Sequence, residues 1–166
     1  MANEPPQSII GIAPGPRESG LAVLKFEPIR CGYSDTLNTA DLLEYLRLWA
    51  GNLPVAYEWI TCYGKPVGAD VFETCYICGL IDAALPAPAR RIERREAKRL
   101  LCNSVTARDT HIRQALIDRF APSGGGKIPQ IGTKAARGPL HGVTGHAWSA
   151  LAIAVTYHEL LKYAGK

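Results

Sequence analysis

Apolar residues fall in short runs over the first part of the chain and at helical spacing beyond it. Ser8 to Leu24 reads SIIGIAPGPRESGLAVL. Ile9, Ile10 and Ile12 make a short apolar strand, Pro14-Gly15-Pro16 a tight turn, and Gly20 to Phe26 a second apolar run. Two such runs joined by a Gly/Pro turn predict an antiparallel hairpin that opens a sheet. Arg30 to Tyr33 then reads as the third strand of a meander. Leu42, Leu43, Leu46 and Trp49 share one stripe at helical spacing, with Asn38 or Thr39 as cap and Gly51-Asn52 as stop. Pro54 to Ile60 is a short apolar strand carrying one carboxylate, Glu58, near its end. A lone glutamate there is costly unless exposed, paired or bound to metal. Its plain alternative is an edge-strand side chain facing water.

Gly64, Pro66 and Gly68 mark a loop, and mixed three- and four-residue spacing from Val71 to Ile81 predicts a well-buried helix. Leu85-Pro86-Ala87-Pro88 leads to a last strand over Ala89–Glu93, then to helices over Arg94–Cys102 and Arg108–Phe120. Residues 121–138 read as a flexible basic loop bearing Lys127, Lys134 and Arg137. Its Gly124-Gly125-Gly126-Lys127 lacks both the G-x-x-x-x-G-K-[ST] pattern and a preceding strand, which removes it as a nucleotide site.

A length of 166 residues fits one domain over 1–166, and a hydrophobic content of 47% excludes disorder. No apolar run approaches the roughly 18–20 residues of a membrane span. MANEPPQS lacks the basic and apolar regions of a secretory signal, so a soluble, cytoplasmic protein with no membrane partner is expected. Five cysteines without framework spacing fit a reducing compartment. Cys75-Tyr-Ile-Cys78 has C-x-x-C form but no second pair at finger spacing, and a structural role is favoured. Net charge is only +4, yet eight of the 19 lysines and arginines lie between Arg90 and Arg113. That clustering is the footprint of a polyanion partner or a solvated helix face partly neutralised by Glu93 and Glu96.

Three blocks, in order, carry a family resemblance. The strand and turn I-G-I-A-P-G (Ile10 to Gly15) resembles the opening of RuvC-type Holliday junction resolvases of the RNase H-like superfamily, where it reads I-G-I-D-P-G. Glu58 and the Tyr63-Gly64 loop leading into a helix resemble the second acidic block of the phage-encoded members. His146-Ala147-Trp148-Ser149-Ala150-Leu151-Ala152-Ile153-Ala154 resembles the closing D-A-A-D-A-L-A-I-A helix or its variant with His in first place.

The resemblance implies an α/β, RNase H-like fold: a mixed five-stranded sheet flanked by helices. It implies a structure-selective DNA endonuclease that resolves Holliday junctions by two-metal phosphodiester hydrolysis, with two Mg²⁺ or Mn²⁺ per active site, acting as a homodimer on branched four-way DNA. The first metal-ligand position holds Ala13 where the family has Asp. Glu58 stands at the second acid, His146 and Ser149 at the two metal-side positions of the last helix, and Ser149 departs from the usual acid. Lys98 and Arg108 match basic residues that reach the active site or the scissile phosphate. Arg91, Arg94, Arg95, Lys98, Arg108, Lys127 and Lys134 are the expected DNA contacts. In the bacterial members the helix after the second acid helps form the dimer interface; here Cys75, Cys78 and Gly79 would allow close helix approach or pack in a core.

Alanine at position 13 reads as a natural loss or an introduced inactivating change, and the intact surrounding motif favours the second. Either way, the chain is expected to bind branched DNA and cut it poorly. A junction-binding pseudoenzyme and another RNase H-like nuclease, acting on flaps or RNA–DNA hybrids, are the alternatives. Asp109 reads as an ordinary helix N-terminal charge, and Glu73 receives no catalytic role.

Overall fold

The computed structural model describes residues 6–164. The first five residues and the last two lie outside that range, and with them part of the MANEPPQS reading and the ends of the 1–166 domain. Five strands form one mixed sheet in the order β3-β2-β1-β4-β5. β1 (Ser8–Ala13), β2 (Glu18–Phe26) and β3 (Ile29–Asn38) make the antiparallel meander, and β4 (Val55–Trp59) and β5 (Arg90–Glu93) add in parallel. The third strand therefore runs well past Arg30–Tyr33. Its nine paired positions along β2 extend it through residues whose own side chains carry no apolar alternation.

Period-two alternation buries both faces of the sheet. Ile10, Ile12, Leu21 and Val23 pack with Leu42, Leu43 and Leu46 of the first helical segment and with Ile77 and Ile81 of α2 (Ala69–Ala84). Ile9, Ala22 and Leu24 face the opposite way, against α4 (Asp109–Ile117) and α5 (Ala147–Ala164). α3 (Arg94–Cys102) closes that second layer and ends on Asn103 in the left-handed conformation. Among the described residues no helix is long and apolar enough to cross a membrane.

Two glycines set the seat of α5. A Cβ on Gly11 would overlap the Ala150 carbonyl oxygen and crowd Ala154, and one on Gly20 would overlap the His146 carbonyl. Gly20 pairs with Ala13 across the hairpin. The start of α5 is thereby pressed onto the sheet beside the end of β1.

The stripe of the first helix breaks at Trp49. α1 (Thr39–Tyr45), capped by the Asn38 side chain, continues into a π-helical turn over Leu46–Ala50. The wider turn shifts the register by about one residue, so Ala50 takes the inward place and Trp49 is 68% exposed. Residues 121–138, expected to be a flexible arm, form a hydrogen-bonded loop instead. Gly124 N–H donates to Pro129 O, Gly125 N–H to Ala136 O, Gly138 N–H to Ile131 O, and Gly132 bridges Arg137. The loop's glycines allow backbone to lie on backbone, as at Gly132, whose φ is +77°.

A polar clamp ties α2 to the sheet. The fully buried Tyr57 donates its hydroxyl to Asp82 Oδ2 at 3.0 Å, and Arg91 Nε donates to the Tyr57 oxygen at 2.9 Å. Burial, with Asp82 adding to it, pushes the Tyr57 phenol from 10.0 up to about 12. A raised folded value means the stability this group adds is full below pH 10 and is lost as pH rises from there to about 12. Asp82→Ala strips the clamp of its acceptor and should lower unfolding stability by about 1–3 kcal/mol, read as a lower urea midpoint at unchanged slope.

Candidate active site

β1 and β4 run parallel with Ile12 opposite Tyr57, so the next residue on each strand is Ala13 and Glu58. Both line one cleft at the strand ends, and His146 and Ser149 from the start of α5 line it with them. Four positions drawn from three sequence blocks are thus brought together by strand register and by the glycine seat of α5. His146 is not inside the helix, as the sequence pattern has it, but immediately before it. Its carbonyl accepts from Ser149 and Ala150 N–H at 3.1 and 3.2 Å, leaving its ring exposed at the cleft.

The Glu58 carboxylate is paired. Arg94 Nη1 donates to Glu58 Oε1 at 2.9 Å, and Arg94 Nη2 donates to Asp109 Oδ1. Glu58 keeps 18% side-chain exposure, Asp109 74%. Burial works against the Arg94 cation, but Glu58 and then Asp109 outweigh it and hold its pKa above the ordinary arginine value. Asp109 is the first residue of α4, where the helix dipole favours a negative charge. It therefore fills the ordinary role read from sequence and also reaches the cleft's arginine.

Lys98 does not line this cleft, whereas Arg94, four residues earlier on the same helix, does. α3 begins directly after β5, so its first residue meets Glu58. A residue one turn on lies about 6 Å further along the axis. Asp70, in the first turn of α2, and Glu18, at the start of β2, add carboxylates to the cleft wall. Neither was singled out from sequence, since an acid in a first helical turn needs no further explanation.

Arg91 and Arg95 line a second groove with Arg90 and Arg99, on the side of β4 that carries Trp59. Arg91 lies over the Trp59 ring at 4.5 Å and is drawn into the Tyr57–Asp82 clamp, while Arg95 lies over Tyr63 at 3.5 Å. Arg108, Lys127 and Lys134 are exposed.

Whether the cleft fits a pair of divalent ions is decided by its donors. Ala13 offers none, Ser149 a neutral hydroxyl, and one Glu58 oxygen is held by Arg94. Among the described residues no group of three or more His, Cys, Asp or Glu is placed to hold a metal. Hard divalent ions want several oxygen ligands, carboxylates foremost. The residues present do not fit a two-ion centre. In the C-x-x-C pair, Cys78 is buried in the core, its thiol pushed by burial up to about 12.

The sequence matches no protein-family model and no curated protein. Solved structures do match. A structure of Thermus thermophilus RuvC aligns over 95% of this chain and 96% of its own, at 20% identity and a TM-score of 0.67. T. thermophilus RuvC in complex with Holliday junction substrate aligns over the same shares, at 17% identity and a TM-score of 0.63. The chain has the RuvC-like, RNase H-type α/β fold, with the mixed five-stranded sheet and flanking helices that the three sequence blocks imply.

Proposed function

We propose that this chain recognises branched DNA on a Holliday-junction-resolvase framework and, with alanine at position 13, binds four-way junctions without cutting them efficiently. The observation that carries this reading is the convergence of Ala13, Glu58, His146 and Ser149 on one cleft. Strand register and the glycine seat of α5 bring residues scattered from position 13 to 149 to one solvent-open notch. The sequence resemblance assigns the family's chemistry to these four positions, with one essential carboxylate replaced. Phosphate neutralisation falls to Arg95, Arg108, Lys127 and Lys134, together with Arg91 and Lys98.

A junction has two-fold symmetry, and a dimer presents two clefts to it. Phe72 and Tyr76 stand 66% and 63% exposed on α2, close in sequence to Gly79, which faces open space. We assign this face to the homodimer contact. Cys78, in contrast, packs inward.

The second reading, a protein that binds junctions and never cut them, draws on one observation. The cleft departs from the acidic pattern at Ser149 and through the Arg94 pair on Glu58, as well as at Ala13.

Anisotropy titrations against a four-way junction, a flap and an RNA–DNA hybrid test the reading. The junction should bind at least tenfold tighter than the other two. Preference for the flap or the hybrid would transfer the framework to another nuclease class. Replacing Lys127 and Lys134 together by alanine should weaken binding and lower the log–log salt slope by about 2. An unchanged slope would remove the 121–138 loop from the DNA face.

A further inference from the structure

Glu58 and Asp109 belong to different elements, the end of β4 and the start of α4, and one guanidinium at the start of α3 joins them. Arg94 forms part of the wall of the cleft that holds Ala13, His146 and Ser149. It also lines the adjoining cavity that holds Asp109, Arg113 and Trp148. It therefore stands between the two spaces. A planar guanidinium with two separate N–H edges suits this bridge, whereas a lysine ammonium acts as a point charge. Arg113, over the Trp148 ring at 4.8 Å, brings a second positive charge to the adjoining cavity. Glu18 and Asp70 sit exposed on the rim with Arg17, where solvent screens them.

We propose that Arg94 is the resident cation of the cleft, a positioning residue that holds Glu58 and Asp109 and withholds them from a divalent ion. The inference rests on reading the cleft as the place of a former metal centre. It makes two demands on the molecule. DNA binding by the unaltered chain does not need a divalent ion, because Arg94, with Arg113 in the adjoining cavity, already offsets the Glu58 and Asp109 charges that would repel a phosphate. Restoring the missing carboxylate at position 13 does not by itself restore full metal affinity, because any ion must compete with Arg94 for Glu58.

Mn²⁺ titration by calorimetry, without DNA, tests this on Ala13→Asp and on Ala13→Asp combined with Arg94→Gln. The double variant should bind Mn²⁺ about tenfold tighter than the single one. Ala13→Asp with Arg94→Lys should fall between them, about threefold tighter than the single variant, since an ammonium keeps the charge but lacks the planar fork that spans both carboxylates. That variant also keeps the test decisive if Arg94→Gln lowers the melting temperature too far. Equal or weaker Mn²⁺ binding on removing Arg94, or no binding by any variant, would overturn the proposal. Failure of the unaltered chain to bind junctions would instead count against the functional reading, and the DNA-free titration is unaffected by it.

Discussion

Ala13→Asp should convert the chain into a Mn²⁺-dependent nickase of four-way junctions, with a rate on the order of 100-fold above that of the unaltered protein. Ala13 lines the cleft and its neighbour across the parallel pair is Glu58, so an aspartate there adds its carboxylate to those already present. Glu58 and His146 line the same cleft, and the aspartate would add a third metal-ligating side chain to that pair. Two carboxylates side by side repel, but Arg94 already offsets one of them. A small loss of thermal stability is expected, not unfolding. The measurement is cleavage of an end-labelled junction at saturating Mn²⁺, with EDTA as the blank. Paired, symmetric nicks that vanish on adding Glu58→Gln are the expected result. Tight junction binding by Ala13→Asp without any nicking would identify a protein that binds junctions by nature and never cut them.

The second large effect is structural. Gly11→Val should lower unfolding stability by about 3 kcal/mol or more, the upper range for overpacking a well-filled core. The added side chain has nowhere to go. Its first carbon already collides with the Ala150 carbonyl and lies against Ala154, both on α5, which packs on a buried face of β1 and β2. Relief requires lifting α5, which would carry His146 and Ser149 away from Ala13 and Glu58. Urea unfolding gives the stability loss, and junction affinity should fall with it. A variant of normal stability would show that α5 is not seated on Gly11.

Where the sequence was legible, the reason was local. Ile9, Ile10 and Ile12 alternate as a strand with both faces buried must, and α3 spans Arg94–Cys102 as its spacing predicts. The three site blocks were legible because each sits at the end of a regular element, and strand register then brings the ends together. What could not be read depended on geometry beyond one element. Arg94 rather than Lys98 reaches the cleft because α3 starts without a linker after β5. Trp49 leaves the core because one turn widens to a π-helix. Glycines at 124–126, compositionally a sign of flexibility, serve close backbone packing that only the folded loop reveals. Asp70 and Glu18 carried no signal beyond ordinary placement at element starts.

The central claim is recognition of branched DNA by a cleft that has lost its cutting acid. Its most direct test is the affinity of the unaltered chain for a four-way junction and for a linear duplex of matched sequence, at physiological salt and in EDTA. Binding at least 100-fold tighter to the junction, with no cleavage when Mg²⁺ is added, is the predicted result. Equal affinity for junction and duplex, or efficient cutting with Ala13 in place, would contradict it.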